Sequence, residues 1–244
     1  WPLSTSNACC PMCLLKGFKR LKQSRGHGVH SPFAFELITQ VFRSPHSFYA
    51  FSDIPERLRI HGEDPRVITS FNHLSFRLVH HFNARNILEV NPGAGINTLF
   101  LMAPSTQINC TWLEGKTGGD SHRSILPLLP RQPHRVVAQP TLSGEMVPFD
   151  EYLYVHGEGQ HALMEGQFDA IFVNCSHAPL LSINQLFRWG HERTFWVIHP
   201  INKEPGKQYW KQIVHDKRSN VVFEGVNMGT VFPWDTLTPS RYFV

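Results

Sequence analysis

Two glutamates and two glycines in the middle of the chain have the types and spacing of a nucleotide-binding site. Glu89 lies inside a short apolar run, a turn from Asn91 to Gly95 with Gly93 at its centre follows directly, and Glu114 ends the next apolar run. Glycine accepts a positive φ and lets a ligand approach where a Cβ would block it. A carboxylate at the end of a second strand is where the ribose hydroxyls of a nucleotide are bound.

The elements that must position these residues are a strand, a tight turn and a helix. The run around Glu89 is short and apolar, which predicts a buried strand. Apolar residues at helical spacing follow the turn and end before Pro104: Ile96, Leu99, Phe100 and Met102. Such a helix directs its free N–H groups and the positive end of its dipole to the space above the turn. We therefore expect the site at the carboxyl end of a parallel strand.

Thr98, three residues after Gly95, narrows the class of nucleotide that the site could bind. The dinucleotide fingerprint has a third glycine where this chain has Thr98, and the Gly-Lys-Ser/Thr of a phosphate-binding loop is absent. A nicotinamide-linked oxidoreductase is therefore the weakest of the alternatives.

Glu89, the two-glycine turn and Glu114 together resemble the class I S-adenosylmethionine (SAM)-dependent methyltransferases. The resemblance implies that Glu89, Asn91, Gly93 and Gly95 hold the methionine part of SAM and that Glu114 takes its ribose hydroxyls. It also implies an α/β Rossmann-like fold, with a seven-stranded, mostly parallel sheet, an antiparallel last strand and helices on both faces.

The stretch RGHGVHSPF, from Arg25, is similar to a subgroup of these enzymes that is common in Bacteroidetes. Ser31 predicts a helix N-cap with Pro32 at the first helical position. We expect an N-terminal extension with a helical, lid-like segment over residues 1–66 and a SAM-binding domain over residues 67–244. Within the extension, residues 44–66 are predicted to be a turn-rich linker that covers the mouth of the cofactor site.

Two later strand ends carry the residues expected beside the transferred methyl group. The run FDAIFVN matches the family's Phe-Asp-x-Ile-Phe-x-Asp block except that Asn174 replaces the last Asp, and the run TFWVIH ends at His199, where an acid is expected. An amide is neither a carboxylate base nor a strong ligand of a hard metal, so the sequence predicts no metal. The candidate general bases are His177 and His199, ahead of His30 and His27.

Composition indicates a globular protein. The chain has 244 residues, 41% of them hydrophobic and 17% charged, which allows one α/β domain with a substantial core. No apolar run approaches the ~20 residues of a membrane-spanning helix, so no membrane partner is expected. Five cysteines, an odd number, favour a reducing, cytoplasmic setting. The oligomeric state is not readable from the sequence.

The expected function is SAM-dependent methyl transfer to a small O- or N-acceptor, with two alternatives. The changes at Asn174 and His199 favour a catalytically degenerate protein that acts as a binding partner. A basic N-terminal segment suits an RNA or protein methyltransferase, although a solvated helix face explains it more simply. That segment contains Lys16, Lys19, Arg20, Lys22 and Arg25.

Overall fold

The computed structural model describes residues 11–115, 125–139, 153–156, 166–177 and 181–244. Short 3-10 turns cover Pro65–Val67 and Leu126–Leu128, and a π turn, Leu37–Phe42, continues the second helix. In chain order the other elements are α1 Pro11–Gln23, α2 Pro32–Glu36, α3 Ala50–Ile60, α4 Ser70–Phe82, β1 Asn86–Val90, α5 Ile96–Met102, β2 Asn109–Gly115, β3 His134–Gln139, β4 Leu153–His156, β5 Phe168–Asn174, α6 Ile183–Trp189, β6 Gly190–His199, α7 Gly206–His215, β7 Val221–Glu224, β8 Gly229–Phe232 and β9 Ser240–Phe243.

The described strands form one sheet in the order β4-β3-β2-β1-β5-β6-β8-β7-β9. β1 pairs in parallel with β2 on one side and with β5 on the other, so the chain changes direction across the sheet between these strands. In such sheets, ligands bind outside the carboxyl ends of the strands where the order reverses. Val90, Gly115, Asn174 and His199, the last residues of β1, β2, β5 and β6, end at this one edge.

Alternate residues of the central strands face two separate hydrophobic layers. Ile87 and Phe172 pack in the layer that contains buried residues of α4 and α5, whereas Leu88 and Ile171 pack in the layer that contains those of α6 and α7. The predicted helical coverage of both faces is therefore confirmed. Glu89 shares the parity of Ile87, which directs its side chain to the α4–α5 face.

The predicted strand count of seven was too low, since nine strands are described. β4 pairs antiparallel with β3 at one edge, in a region whose weak periodicity gave no strand signal. β8 is antiparallel to β6 and β7, as expected for the end of the sheet. The last strand in the chain is β9, however, and it pairs in parallel with β7.

The prediction of a turn-rich linker over residues 44–66 was wrong, because α3 occupies its middle. Pro55 lies inside this helix, and proline in a helical segment normally argues for an interruption. Ile54 and Leu58, four residues apart, bury their side chains in the α4–α5 layer, and this burial offsets the lost hydrogen bond. The lid function of the segment and the domain division at residue 66 stay predictions.

The predicted start of α2 is confirmed. Ser31 has extended backbone angles, its side chain accepts a hydrogen bond from the Ala34 amide, and Pro32 begins the helix. Across the described residues, none of the helices has the length and apolarity that crossing a membrane requires.

Candidate functional site

The turn after β1 has three residues in the left-handed region: Asn91, Gly93 and Gly95, with φ of 53°, 61° and 73°. The two glycines serve different purposes. A Cβ on Gly95 would lie 2.5 Å from Cδ1 of Ile125, so Gly95 is required by packing. Among the described residues, a Cβ on Gly93 would meet the side-chain nitrogen of Asn174 at 3.8 Å, an ordinary van der Waals contact, so Gly93 lies beside the end of β5.

Glu89 is buried, and α5 provides its hydrogen-bond donors. Asn97 donates from Nδ2 to Oε1 at 3.1 Å, and Thr98 donates from Oγ1 to Oε2 at 2.6 Å. Trp112 in turn donates from Nε1 to the Thr98 hydroxyl at 3.0 Å. Thr98 therefore links Glu89 to Trp112, which the third glycine of a dinucleotide site could not do because it has no side chain.

Burial raises the pKa of Glu89 to about 7. Desolvation favours the neutral acid, and the hydrogen bonds from Thr98 and Asn97 oppose it by stabilising the carboxylate. Glu89 is only 3% exposed. The hydrogen bonds of Glu89 thus hold the start of α5 against β1.

Glu114 lies near the end of β2 and is paired with a cation from the neighbouring strand. Arg135 donates from Nη2 to Oε2 at 2.7 Å and from Nε at 3.2 Å. The Glu114 side chain is 4% exposed, whereas that of Arg135 is 46% exposed. The carboxylate is therefore held in a fixed orientation close to the turn, as a residue that binds ribose hydroxyls must be.

Asn174 and His199 are direct partners in the parallel register of β5 and β6. The main-chain oxygen of Asn174 accepts a hydrogen bond from Nδ2 of Asn91 at 3.2 Å, so the glycine turn and the end of β5 are joined. Its side-chain oxygen accepts from the Ser176 amide at 2.9 Å. The structure thus brings Asn91, Gly93, Asn174 and His199 to one edge, whereas His177 lies on an exposed turn three residues beyond β5.

The His199 ring is enclosed by two side chains. Phe71, from the first turn of α4, stacks on it with ring centroids 4.2 Å apart and an interplanar angle of 11°. Nδ2 of Asn227 lies 2.9 Å from Nε2. Desolvation lowers the pKa of His199, so the ring is neutral at neutral pH.

A cavity of about 350 Å³ adjoins this ring and is lined by Cys175, Ser176, His199, Pro200, Asn202, Lys203, Glu204 and Asn227. The Cys175 thiol is buried, and desolvation raises its pKa to about 12, so it is not a nucleophile at neutral pH.

Sequence reasoning missed four supporting residues: Phe71, Asn72, Arg135 and Asn227. One signal was available for Asn72, because Thr69 and Asn72 have the spacing of a capping box. The pairing of Arg135 with Glu114 and of Asn227 with His199 depends on strand order, which residue spacing does not contain. His27 and His30, the weaker candidate bases, lie with exposed side chains before α2.

No protein-family model matches the chain, and no curated protein sequence matches it. Solved structures do resemble it. The S-adenosylhomocysteine-bound methyltransferase PaMTH1 of Podospora anserina has a TM-score of 0.50 and 11% identity, over 83% of this chain and 95% of that one. A methyltransferase of Geobacter sulfurreducens has a TM-score of 0.48 and 11% identity, over 77% and 90%. A caffeoyl-CoA O-methyltransferase of Staphylococcus aureus, itself assigned provisionally, has a TM-score of 0.48 and 12% identity, over 76% and 93%.

The likeness to the Podospora protein shows the fold of this chain, which is the Rossmann-like fold of class I methyltransferases. At this identity it shows the fold alone. The subgroup with the N-terminal HGVHSPF stretch stays a prediction. Among the residues that the structure describes, no group of three or more His, Cys, Asp and Glu side chains could hold a metal ion.

Proposed function

We propose that this chain binds SAM at the carboxyl ends of β1, β2 and β5 and transfers its methyl group to a small O- or N-acceptor. The observation that carries the proposal is the position of the glycine turn. Gly93 has a positive φ, and a Cβ on it would project next to Asn174, at the point where the sheet order reverses.

The residues at this edge fit SAM. Gly93 has no Cβ and so lets the methionine part approach the backbone of the turn, which Asn91 and Gly95 shape on either side. Glu114, oriented by Arg135, offers a carboxylate for the ribose hydroxyls. Glu89 supports the turn through Asn97 and Thr98 and contributes negative charge when ionised, which suits the positively charged amino group of SAM.

SAM supplies a methyl group on a positively charged sulfur, ready for in-line attack by a nucleophile. The chain's own residues position the partners and handle the acceptor proton. Asn174 lies next to Gly93 and can hold the acceptor by a side-chain hydrogen bond. His199, neutral and one strand away, is the better general base because His177 lies on an exposed turn beyond the strand end.

The cavity beside His199 favours a small acceptor. Its volume of about 350 Å³ is at the lower end of the range for small-molecule sites. Lining by Ser176, Lys203 and Asn227 suits a polar molecule with a hydroxyl or amino group.

A binding protein without activity is the second candidate. Asn174 and His199 replace two acids, and the Glu114 carboxylate is already paired with Arg135. These features predict either SAM binding without turnover or no SAM binding at all.

Calorimetric titration with SAM and with S-adenosylhomocysteine tests the proposal. We expect micromolar affinity for both, and a loss of at least about tenfold in Glu114→Ala, because the ribose hydroxyls lose a charged hydrogen-bond partner. Glu192→Ala, which removes an exposed carboxylate from the opposite half of β6, is the matched control. A folded protein that binds neither compound would refute SAM binding, and binding without turnover on phenols, amines or RNA would favour the second candidate.

A further inference from the structure

The described side-chain bonds between α1 and the rest of the fold lie on one side of the helix. Arg20 donates from Nη2 to the main-chain oxygen of Gly225 at 3.1 Å, and Oε1 of Gln23 accepts from the Phe243 amide at 2.9 Å. Ser24 is buried and accepts from Arg43 at 2.8 Å. These three positions of α1 and its end lie on one helical face, at spacings of three and four residues.

The opposite face of α1 combines exposed apolar groups with cations. Phe18 and Leu21 are 65% and 53% exposed. Lys22 is also exposed, and Phe18, Leu21 and Lys22 follow the spacing i, i+3 and i+4 of a helical stripe. The exposed Arg25 lies in the turn just beyond the end of α1. Lys19 is exposed beside them. Isolated apolar side chains on a surface are ordinary, but a stripe of two flanked by cations is a patch with a defined chemistry.

The patch continues past the end of the helix. Gly26 has a φ of 78°, and a Cβ there would lie 2.7 Å from the Phe35 ring, so this ring packs directly against the residue that follows Arg25. Phe35 is itself 48% exposed. We name Phe18, Leu21, Lys22, Arg25 and Phe35 the α1 stripe.

The segment from Phe18 to Arg25 is basic and contains no acid, whereas Phe35 is followed by the exposed Glu36. The first acidic residue in the chain is Glu36, and five lysines and arginines precede it. Leucine and phenylalanine among cations are what an interfacial helix presents to a lipid bilayer: the apolar groups enter the acyl boundary and the cations contact anionic headgroups. A nucleic acid backbone would use the cations but would gain little from an exposed leucine.

We propose that the α1 stripe is a docking surface for an anionic membrane, to which the protein binds peripherally. Peripheral binding needs no membrane-spanning helix. The sequence-based prediction of no membrane partner rested on the absence of such a helix, so it does not apply to peripheral binding. The proposal is independent of SAM binding. It also assigns a function to the basic segment that differs from an RNA contact, and it removes Arg20 from the contact, since that guanidinium is engaged with Gly225.

Flotation of the full chain with vesicles tests this proposal. We expect binding to vesicles of phosphatidylcholine with phosphatidylserine, and none to phosphatidylcholine alone. Each cation near an anionic surface contributes roughly fivefold in affinity, so Lys22→Ala with Arg25→Ala should weaken binding by about 25-fold and make the remaining binding less dependent on salt. Phe18→Ser with Leu21→Ser should weaken it by at least tenfold, because apolar area no longer enters the bilayer.

Matched controls come from other exposed positions. Ile60→Ser and Val226→Ser remove apolar side chains that are 71% and 68% exposed, and Lys207→Ala with Lys211→Ala removes two exposed cations of α7. These variants should bind like the unaltered chain. Absence of binding to the anionic vesicles would overturn the proposal. So would binding that needs the cations but not Phe18 and Leu21, which would point to a polyanion such as RNA.

Discussion

Asn72 donates a hydrogen bond from Nδ2 to Oδ1 of Asn97 at 3.2 Å, and this bond links the first turn of α4 to the site. Asn97 passes the contact on to Glu89. On the other side of Asn72, its Oδ1 accepts from the Thr69 amide at 2.8 Å and so caps α4. The neighbouring Phe71 stacks on His199. One helical turn therefore holds both the carboxylate under the glycine turn and the histidine at the end of β6.

Replacing Asn72 should disturb the turn as well as the helix. Asn72→Ala removes the cap and leaves the buried Asn97 amide without its partner, at a cost of about 1–3 kcal/mol in the free energy of unfolding. The same change should lower SAM affinity, because Asn97 no longer holds Glu89 in place. Urea unfolding and calorimetry measure the two effects.

Gln40→Ala, at an exposed position of the π turn, is the control for that experiment. Asn72→Asp separates the two functions of the side chain, since a carboxylate still accepts from Thr69 but cannot donate to Asn97. If Asn72→Ala matched Gln40→Ala in both measurements, the hydrogen bonds from Asn72 through Asn97 to Glu89 would contribute neither to stability nor to SAM affinity.

The two glycines of the turn should respond differently to a methyl group. Gly95→Ala places its Cβ 2.5 Å from Ile125 in addition to the strain of a positive φ, and should destabilise the fold by about 2–4 kcal/mol. Gly93→Ala meets only Asn174 at 3.8 Å and should cost about 1–2 kcal/mol for the backbone alone.

SAM affinity should separate the two variants further. Gly93→Ala adds a methyl group where the proposal places the methionine part of SAM, and it should abolish binding in a protein that still folds. Shortening Ile125 to Ala should recover part of the stability lost in Gly95→Ala. Tight SAM binding by Gly93→Ala would show that the cofactor does not occupy that space.

Much of the site's framework could be predicted from the sequence because local spacing encodes it. The apolar run at Glu89, the glycine turn and the helix after it form a continuous segment, and each was expected where it is found. The start of α2 at Ser31 followed from capping chemistry in the same way. These features depend on residues within a few positions of one another.

The parts that could not be predicted depend on contacts between distant segments. The packing role of Gly95 requires Ile125, and the orientation of Glu114 requires Arg135 on the adjacent strand. α3 was missed because Pro55 outweighed two apolar residues in a local reading, whereas in the fold Ile54 is buried against the core. The burial of apolar side chains, and not the local helix propensity, determines that residues 50–60 form a helix.

Stability should depend on pH through Glu89. Its pKa is raised from an ordinary 4.5 to about 7, so the folded chain holds a proton that the unfolded chain releases. The folded state is favoured most below pH 4.5, and this advantage of the neutral acid is lost as the pH rises toward 7. At 1.36 kcal/mol per pH unit the change amounts to about 3 kcal/mol.

Glu89→Gln isolates this effect, because glutamine cannot ionise. The free energies of unfolding of the two proteins are measured in urea between pH 4.5 and 8. As the pH rises, the stability of Glu89→Gln should increase relative to that of the unaltered chain. A difference that is constant across this range would mean that Glu89 titrates normally.

The enclosure of His199 should control its proton affinity. Phe71 and burial lower the pKa of the ring below 6.5. Phe71→Ala admits water to one face, which favours the imidazolium and should raise the pKa toward its ordinary value. NMR titration of the ring protons measures this directly, with Phe18→Ala as a control that leaves His199 enclosed.

If methyl transfer uses His199 as the base, the acidic limb of the pH–rate profile should move to higher pH in Phe71→Ala by the same amount. A shift in the NMR titration without a shift in the rate profile would assign the proton transfer to another group.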